Sequence, residues 1–78
     1  MENNKSGLIG LHEIRKKKGF TQLKTAMDLN ISRESLSYYE NGKRSPDTQM
    51  LILMSDYFDV SIHYLITGKE FVPKYPKS

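Results

Sequence analysis

The stretch Phe20–Pro46, FTQLKTAMDLNISRESLSYYENGKRSP, contains two short helical patterns separated by a tight turn. Thr21 suits an N-cap, because its hydroxyl can accept from an orphan amide one turn into a helix beginning at Gln22. Leu23, Ala26 and Met27 follow at i, i+3 and i+4, a spacing that predicts one shared, buried face. At Asn30 the chain must reverse quickly. A positive φ is wanted there, and asparagine is among the few residues besides glycine that accept it. Ile31 is expected to point inward and Ser32 to cap a second helix from Arg33. Chance supplies any one of these features; the ordered set specifies two helices joined by a built turn.

The second helix, Arg33 to Glu40 with Asn41 and Gly42 ending it, should bury Leu36 and Tyr39. The opposite face then carries Arg33, Glu34, Ser37 and Tyr38. Those types suit the reading of base edges: Arg bonds guanine bidentately, Glu accepts from cytosine N4, Ser bonds either kind of edge, and a Tyr ring lies against a thymine methyl. A merely solvated polar face is the plainer alternative, and Glu34 also suits the positive end of the helix dipole. Flanking residues fit phosphate contacts. Thr21 and Gln22 sit where free amides of a first turn grip an anion, and Asn41, Lys43 and Arg44 lie in the loop after the reading helix. An ordinary soluble loop explains Lys43 and Arg44 equally well.

Outward from this unit, the periodicity predicts a first helix over Gly7 to Lys18, burying Leu11 and Ile14, with Ser6 as its cap and Gly19 as its stop. Its basic last turn, Arg15 to Lys18, suits either the helix dipole or DNA. A fourth helix starts near Asp47, after Pro46, with Met50, Leu51, Met54, Tyr57 and Phe58 as an ordinary core stripe. Asp59 and Val60 form a turn, and Ser61 caps a fifth helix containing Ile62, Leu65 and Ile66, ended by Gly68. The expected organisation is a disordered head over 1–6, a domain over 7–68 and a tail over 69–78. The two prolines of the tail forbid a continued helix. Phe71, Val72 and Tyr75 are apolar for a free end and could fold back or help a second subunit dock; a plain flexible tail is the simpler expectation.

Composition narrows the classes. With 78 residues and no cysteine, the chain is read as one small domain with neither a disulfide framework nor thiolate metal ligands. No apolar run reaches membrane-spanning length and no signal peptide is visible, so a cytoplasmic protein is expected. Net charge is only +3, but it is unevenly spread. Residues 15–44 hold eight Lys or Arg against Asp28, Glu34 and Glu40; residues 45–68 hold Asp47, Asp56 and Asp59 and no Lys or Arg. Positive charge therefore gathers on the half that carries the proposed reading helix. Nothing suggests an enzyme: His12 and His63 lack metal-ligand spacing, and neither a nucleophile elbow nor a Gly-rich phosphate loop is present. No cofactor, metal or small-molecule effector is expected.

Residues 8–68 resemble the lambda-repressor/Cro family of helix-turn-helix domains, the xenobiotic-response-element type. The resemblance rests on LHEIRKKKGFTQ, AMDLNIS, SYYENGKRSP and YFDVSIHYLITG, with Gln22, Ala26, Ser32, Glu40-Asn41-Gly42 and Pro46 at the family's spacing. It implies an all-α fold of five helices with the helix-turn-helix at helices 2 and 3. It also implies base contacts from Arg33, Glu34, Ser37 and Tyr38 and phosphate contacts from Gln22, Asn41 and Lys43. Arg15 and Glu40 match a pair that in relatives forms a partly buried ion pair joining helices 1 and 3. Three positions depart from the family: Thr25 for leucine, with Leu23 expected to compensate in part, Asn30 for glycine, and Ser55 for alanine. The implied function is a transcriptional regulator, a repressor by expectation, binding a pseudo-palindromic operator in double-stranded DNA as a homodimer. One short reading helix covers only a few base pairs, which also favours pairing two half-sites. The dimer surface is expected on Ile62, Leu65, Ile66, Phe71 and Val72. The rival reading is a protein-interaction module, an antitoxin-like or adaptor subunit, on the same fold.

Overall fold

Four of the five helices begin on a side-chain cap that the sequence encodes. The computed structural model describes residues 7–70, which form α1 (Ile9–Lys17), α2 (Gln22–Leu29), α3 (Arg33–Asn41), α4 (Thr48–Phe58) and α5 (Ile62–Thr67). Thr21, Ser32, Asp47 and Ser61 accept from the amides of Lys24, Ser35, Met50 and Tyr64 at 2.9–3.0 Å. Each satisfies one donor that a helix start leaves without an internal partner. Four helices also stop on a left-handed residue: Asn30 (φ 61°), Gly42, Asp59 (φ 58°) and Gly68. The all-α, five-helix architecture with its helix-turn-helix at α2 and α3 follows from these punctuation marks.

α1 departs from the expected start. It begins at Ile9 with Leu8 as an N-cap that makes no side-chain bond, and the chain entry is held by the Leu8 amide donating to the Tyr39 carbonyl at 3.0 Å. Ser6, expected as the cap, lies outside the described residues, as do Phe71, Val72 and Tyr75. α1 packs on α5 at Gly10, where an added Cβ would sit 1.7 Å from the Tyr64 carbonyl oxygen, so only glycine allows this approach.

The core unites Leu11 and Ile14 of α1, Ala26 and Leu29 of α2, Leu36 of α3, Met54 and Phe58 of α4 and Leu65 of α5. Phe20, in the α1–α2 connection, tilts against Tyr57 and Phe58, which meet edge to face at 4.7 Å between centroids. The buried face of α2 differs from expectation. Thr25, Ala26 and Leu29 point inward, whereas Leu23 and Met27 are 58% and 69% exposed. Both assignments satisfy a helical period around Ala26. The structure takes the one that turns Thr25 and Leu29 toward α3 and α4. Leu23 therefore does not compensate for Thr25, whose hydroxyl is fully buried near the Tyr57 hydroxyl without closing to a normal hydrogen bond. Ser55, by contrast, earns its hydroxyl: it donates to the Val60 carbonyl across the α4–α5 turn while the Val60 amide bonds the Ser55 carbonyl.

A buried hydroxyl without a partner is a desolvation cost that an isosteric methyl removes. Thr25→Val is therefore expected to raise unfolding stability by about 1 kcal/mol, read from the urea midpoint at constant slope. A lower midpoint would mean that the hydroxyl is satisfied in solution.

Candidate nucleic-acid interface

The start of α2, the exposed side of α3 and the α3–α4 loop form one polar surface. Arg33 and Glu34 project from the first turn of α3 into solvent, and Ser37 and Tyr38, one turn on, are half-buried. Leu36 points the opposite way, fully buried in the core. Glu34 lies in the first turn, where the helix dipole favours its charge. Asn41 Oδ1 accepts from the Lys43 amide at 3.1 Å, which folds the loop back beside α3. The cations of that loop gather at Tyr38: Lys43 Nζ lies 6.0 Å and the Arg44 guanidinium 5.7 Å from the ring centroid.

Behind this surface lies a buried polar cluster. Arg15 Nε donates to Glu40 Oε2 at 2.6 Å and Nη2 donates to Oε1 at 3.1 Å, a bidentate pair between α1 and α3. Arg15 Nη1 donates to the Phe20 carbonyl at 2.8 Å, tying in the α1–α2 connection. Both side chains are under one-tenth exposed. The ion pair expected between Arg15 and Glu40 is therefore present and more buried than a surface pair. Burial alone would raise the Glu40 pKa; hydrogen bonds from Arg15, His12 and Gln22, with the Arg15 charge, outweigh it and hold the carboxyl below its ordinary value.

Two members of the cluster were not visible as such in the sequence. His12 stands one turn before Arg15 and meets Glu40 through Nδ1 at 3.1 Å from Oε1; its i, i+3 spacing to Arg15 was the available signal. The side chain of Gln22, expected on a phosphate, donates from Nε2 to Glu40 Oε1 at 3.1 Å, and its Oε1 accepts from Arg33 Nη1 at 3.2 Å. Thr21 is exposed, its hydroxyl serving as the α2 cap. On α5, Ile66 is 46% exposed and Ile62 half-buried, but Leu65 is fully buried. Leu65 thus cannot join a subunit surface, because α5 turns it into the core against α1 and α4. Phe71 and Val72 lie outside the described residues. Among the described residues no cluster of His, Cys, Asp and Glu is arranged to hold a metal, and no helix is long and apolar enough to cross a membrane.

Comparison with known proteins agrees with this architecture. The helix-turn-helix family profile matches residues 11–65. The HTH-type transcriptional regulator ImmR of Bacillus subtilis is 45% identical over 64 residues, 82% of this chain and 50% of its own length. The HTH-type transcriptional regulator YqaE of the same organism is 42% identical over 59 residues, 76% of this chain and 51% of its own length. Antitoxin PezA of Streptococcus pneumoniae is 41% identical over 51 residues, 65% of this chain and 32% of its own length. The chain thus spans a third to a half of the length of these relatives.

A depressed carboxylate pKa makes stability depend on acid. The contribution of Glu40 is fully present above its ordinary value of 4.5 and lost as pH falls through the lower folded value. Glu40→Gln strands Arg15 and should cost about 3 kcal/mol at neutral pH. The variant should also show a shallower loss of melting temperature between pH 5 and 3 than the unaltered chain, by roughly the share of one linked proton. Parallel pH profiles would place the acid sensitivity elsewhere.

Proposed function

The chain belongs to the Cro/lambda-repressor-like helix-turn-helix family, and on that premise we propose that it is a sequence-specific DNA-binding transcriptional regulator. The observation that carries the reading is the polar face of α3, which follows the capped, left-handed turn at Asn30 and is flanked by the loop cations Lys43 and Arg44 beside Tyr38. In this reading α3 enters the major groove. Arg33 contacts a guanine edge, Glu34 a cytosine amine, Ser37 either kind of edge and Tyr38 a thymine methyl. Thr21, Asn41, Lys43 and Arg44 contact phosphates, together with the free backbone amides at the start of α2, Gln22 included. The regulator acts as a repressor on a pseudo-palindromic operator, two copies meeting through the exposed side of α5 around Ile62 and Ile66. Two half-sites give the length of sequence that a single short helix does not.

A second reading, an antitoxin-like subunit that binds a protein partner, draws on the exposed apolar pair Leu23 and Met27 and on the likeness to an antitoxin. Selection from a random duplex pool separates the two. A regulator enriches a palindrome with half-sites about one helical turn apart. A partner-binding module enriches none and shows only weak, salt-sensitive association.

On the selected duplex, Arg33→Ala should cost roughly 1–3 kcal/mol and relax preference at one base position. Lys43→Ala should weaken all duplexes alike and reduce the salt slope by about one. Equal binding by both variants and the unaltered chain would remove these contacts from the surface. Sedimentation should show a dimer on the operator; one copy per duplex at saturating protein would refute the paired half-site arrangement.

A further inference from the structure

A cavity of about 240 Å³ opens between the chain entry, the end of α3, the α3–α4 loop, α4 and α5. Leu8, Tyr39, Pro46, Leu51 and Ile66 give it an apolar lining, and Arg44 and Ser45 complete its wall. Such a lining offers water few partners, so a large apolar side chain is a better occupant than solvent. The space suits one or two side chains. A second copy seated there alone would fall well short of the roughly 800 Å² per partner that a stable subunit interface buries.

Two segments of the chain lead away from the described residues. The head, MENNKS, is polar beyond Met1 and brings no aromatic ring. The other segment leaves from the rim of the cavity. A Cβ added at Gly68 would lie 3.0 Å from Ile9 Cγ2 and 3.7 Å from the Gly10 amide nitrogen, so the chain quits α5 against the start of α1, beside Leu8. Thr67 Oγ1 accepts from the Lys69 amide at 3.0 Å and closes the turn there. Glu70 is then followed by Phe71, Val72, Pro73, Lys74 and Tyr75. Three residues of chain span up to about 10 Å, so Phe71 is within reach of a cavity lined by Ile66, two residues before Gly68. An aromatic ring also carries the large apolar area that such a space rewards.

We propose that the C-terminal segment of this chain, with Phe71 as its anchor, seats in this cavity of its own copy. Ile62 lies one turn before Ile66 on the same face of α5, so the seated segment borders the proposed subunit contact without replacing it. Because Arg44 and Ser45 belong to the wall, the segment also backs the loop that, on the DNA reading, meets phosphates.

Nuclear magnetic resonance on the whole chain tests this. Overhauser contacts are expected from the Phe71 ring to the methyls of Leu51 and Ile66, which the ring current also shifts upfield. In a sample mixed from labelled and unlabelled copies, these contacts should stay within one copy. Phe71→Ala should abolish the shifts and lower the folded-to-unfolded ratio about tenfold, the worth of burying most of one aromatic side chain. Phe71→Leu, which keeps apolar bulk, should recover most of that stability. Contacts that arise only between copies would overturn the proposal and assign the cavity to a partner's tail. Absence of contacts to the cavity residues, whatever the stability of Phe71→Ala, would overturn it as well. None of these readouts involves DNA, so their outcome is independent of the regulator reading.

Discussion

The bidentate bond between Arg15 and Glu40 is the constraint on which the arrangement of the helices around the proposed site depends. Its three arms reach two atoms on α3 and the Phe20 carbonyl between α1 and α2, so one guanidinium ties α1 and the α1–α2 connection to a helix 25 residues further along the chain. Its net contribution to stability is small beside the penalty of burying both charges. What it supplies is direction. An apolar contact would tolerate rotation of α3 about its axis, whereas a planar fork on a carboxylate admits little. The rotation of α3 decides whether Arg33 and Ser37 face out together.

The helix-turn-helix was legible because its information is local. A hydroxyl at an N-cap, asparagine at a left-handed position and a second cap act through atoms within one turn of chain, and such chemistry is written directly in residue order. The structure places Thr21, Asn30 and Ser32 in those roles. The inward Leu36 and the α4 stripe around Met54 and Phe58 were legible for a related reason, since their period admits a single apolar face.

The misreadings share a different cause. Along α2, Leu23, Ala26 and Met27 make one acceptable stripe and Thr25, Ala26 and Leu29 another, and only the positions of α3 and α4 choose between them. Hydropathy favours the first; packing selects the second and buries a threonine hydroxyl to do so. Leu65 was assigned to a subunit surface because a short helix with three apolar residues does not disclose which one it turns inward. The side chain of Gln22 has a contact that its place at a helix start did not announce. Its engagement with Glu40 depends on a partner 18 positions away, across an arrangement that Arg15 creates. Long-range polar contacts carry no local signature, and these are the ones that link the core to the proposed site.

The loop after α3 extends the same logic to the cations. A mobile lysine or arginine loses conformational freedom when it meets a phosphate, and that loss offsets part of the attraction. Here Asn41 closes the turn on the Lys43 amide, while Lys43 and Arg44 both lie within about 6 Å of the Tyr38 ring. Tyr38 is itself on the α3 face, so the loop cations are gathered against one of the side chains proposed to meet a base. Contact at a phosphate would thereby bear on the ring proposed to meet the neighbouring base edge. Register along the backbone and readout in the groove would then be mechanically joined through one aromatic side chain, complementing the polar link that Gln22 makes from the other end of the helix.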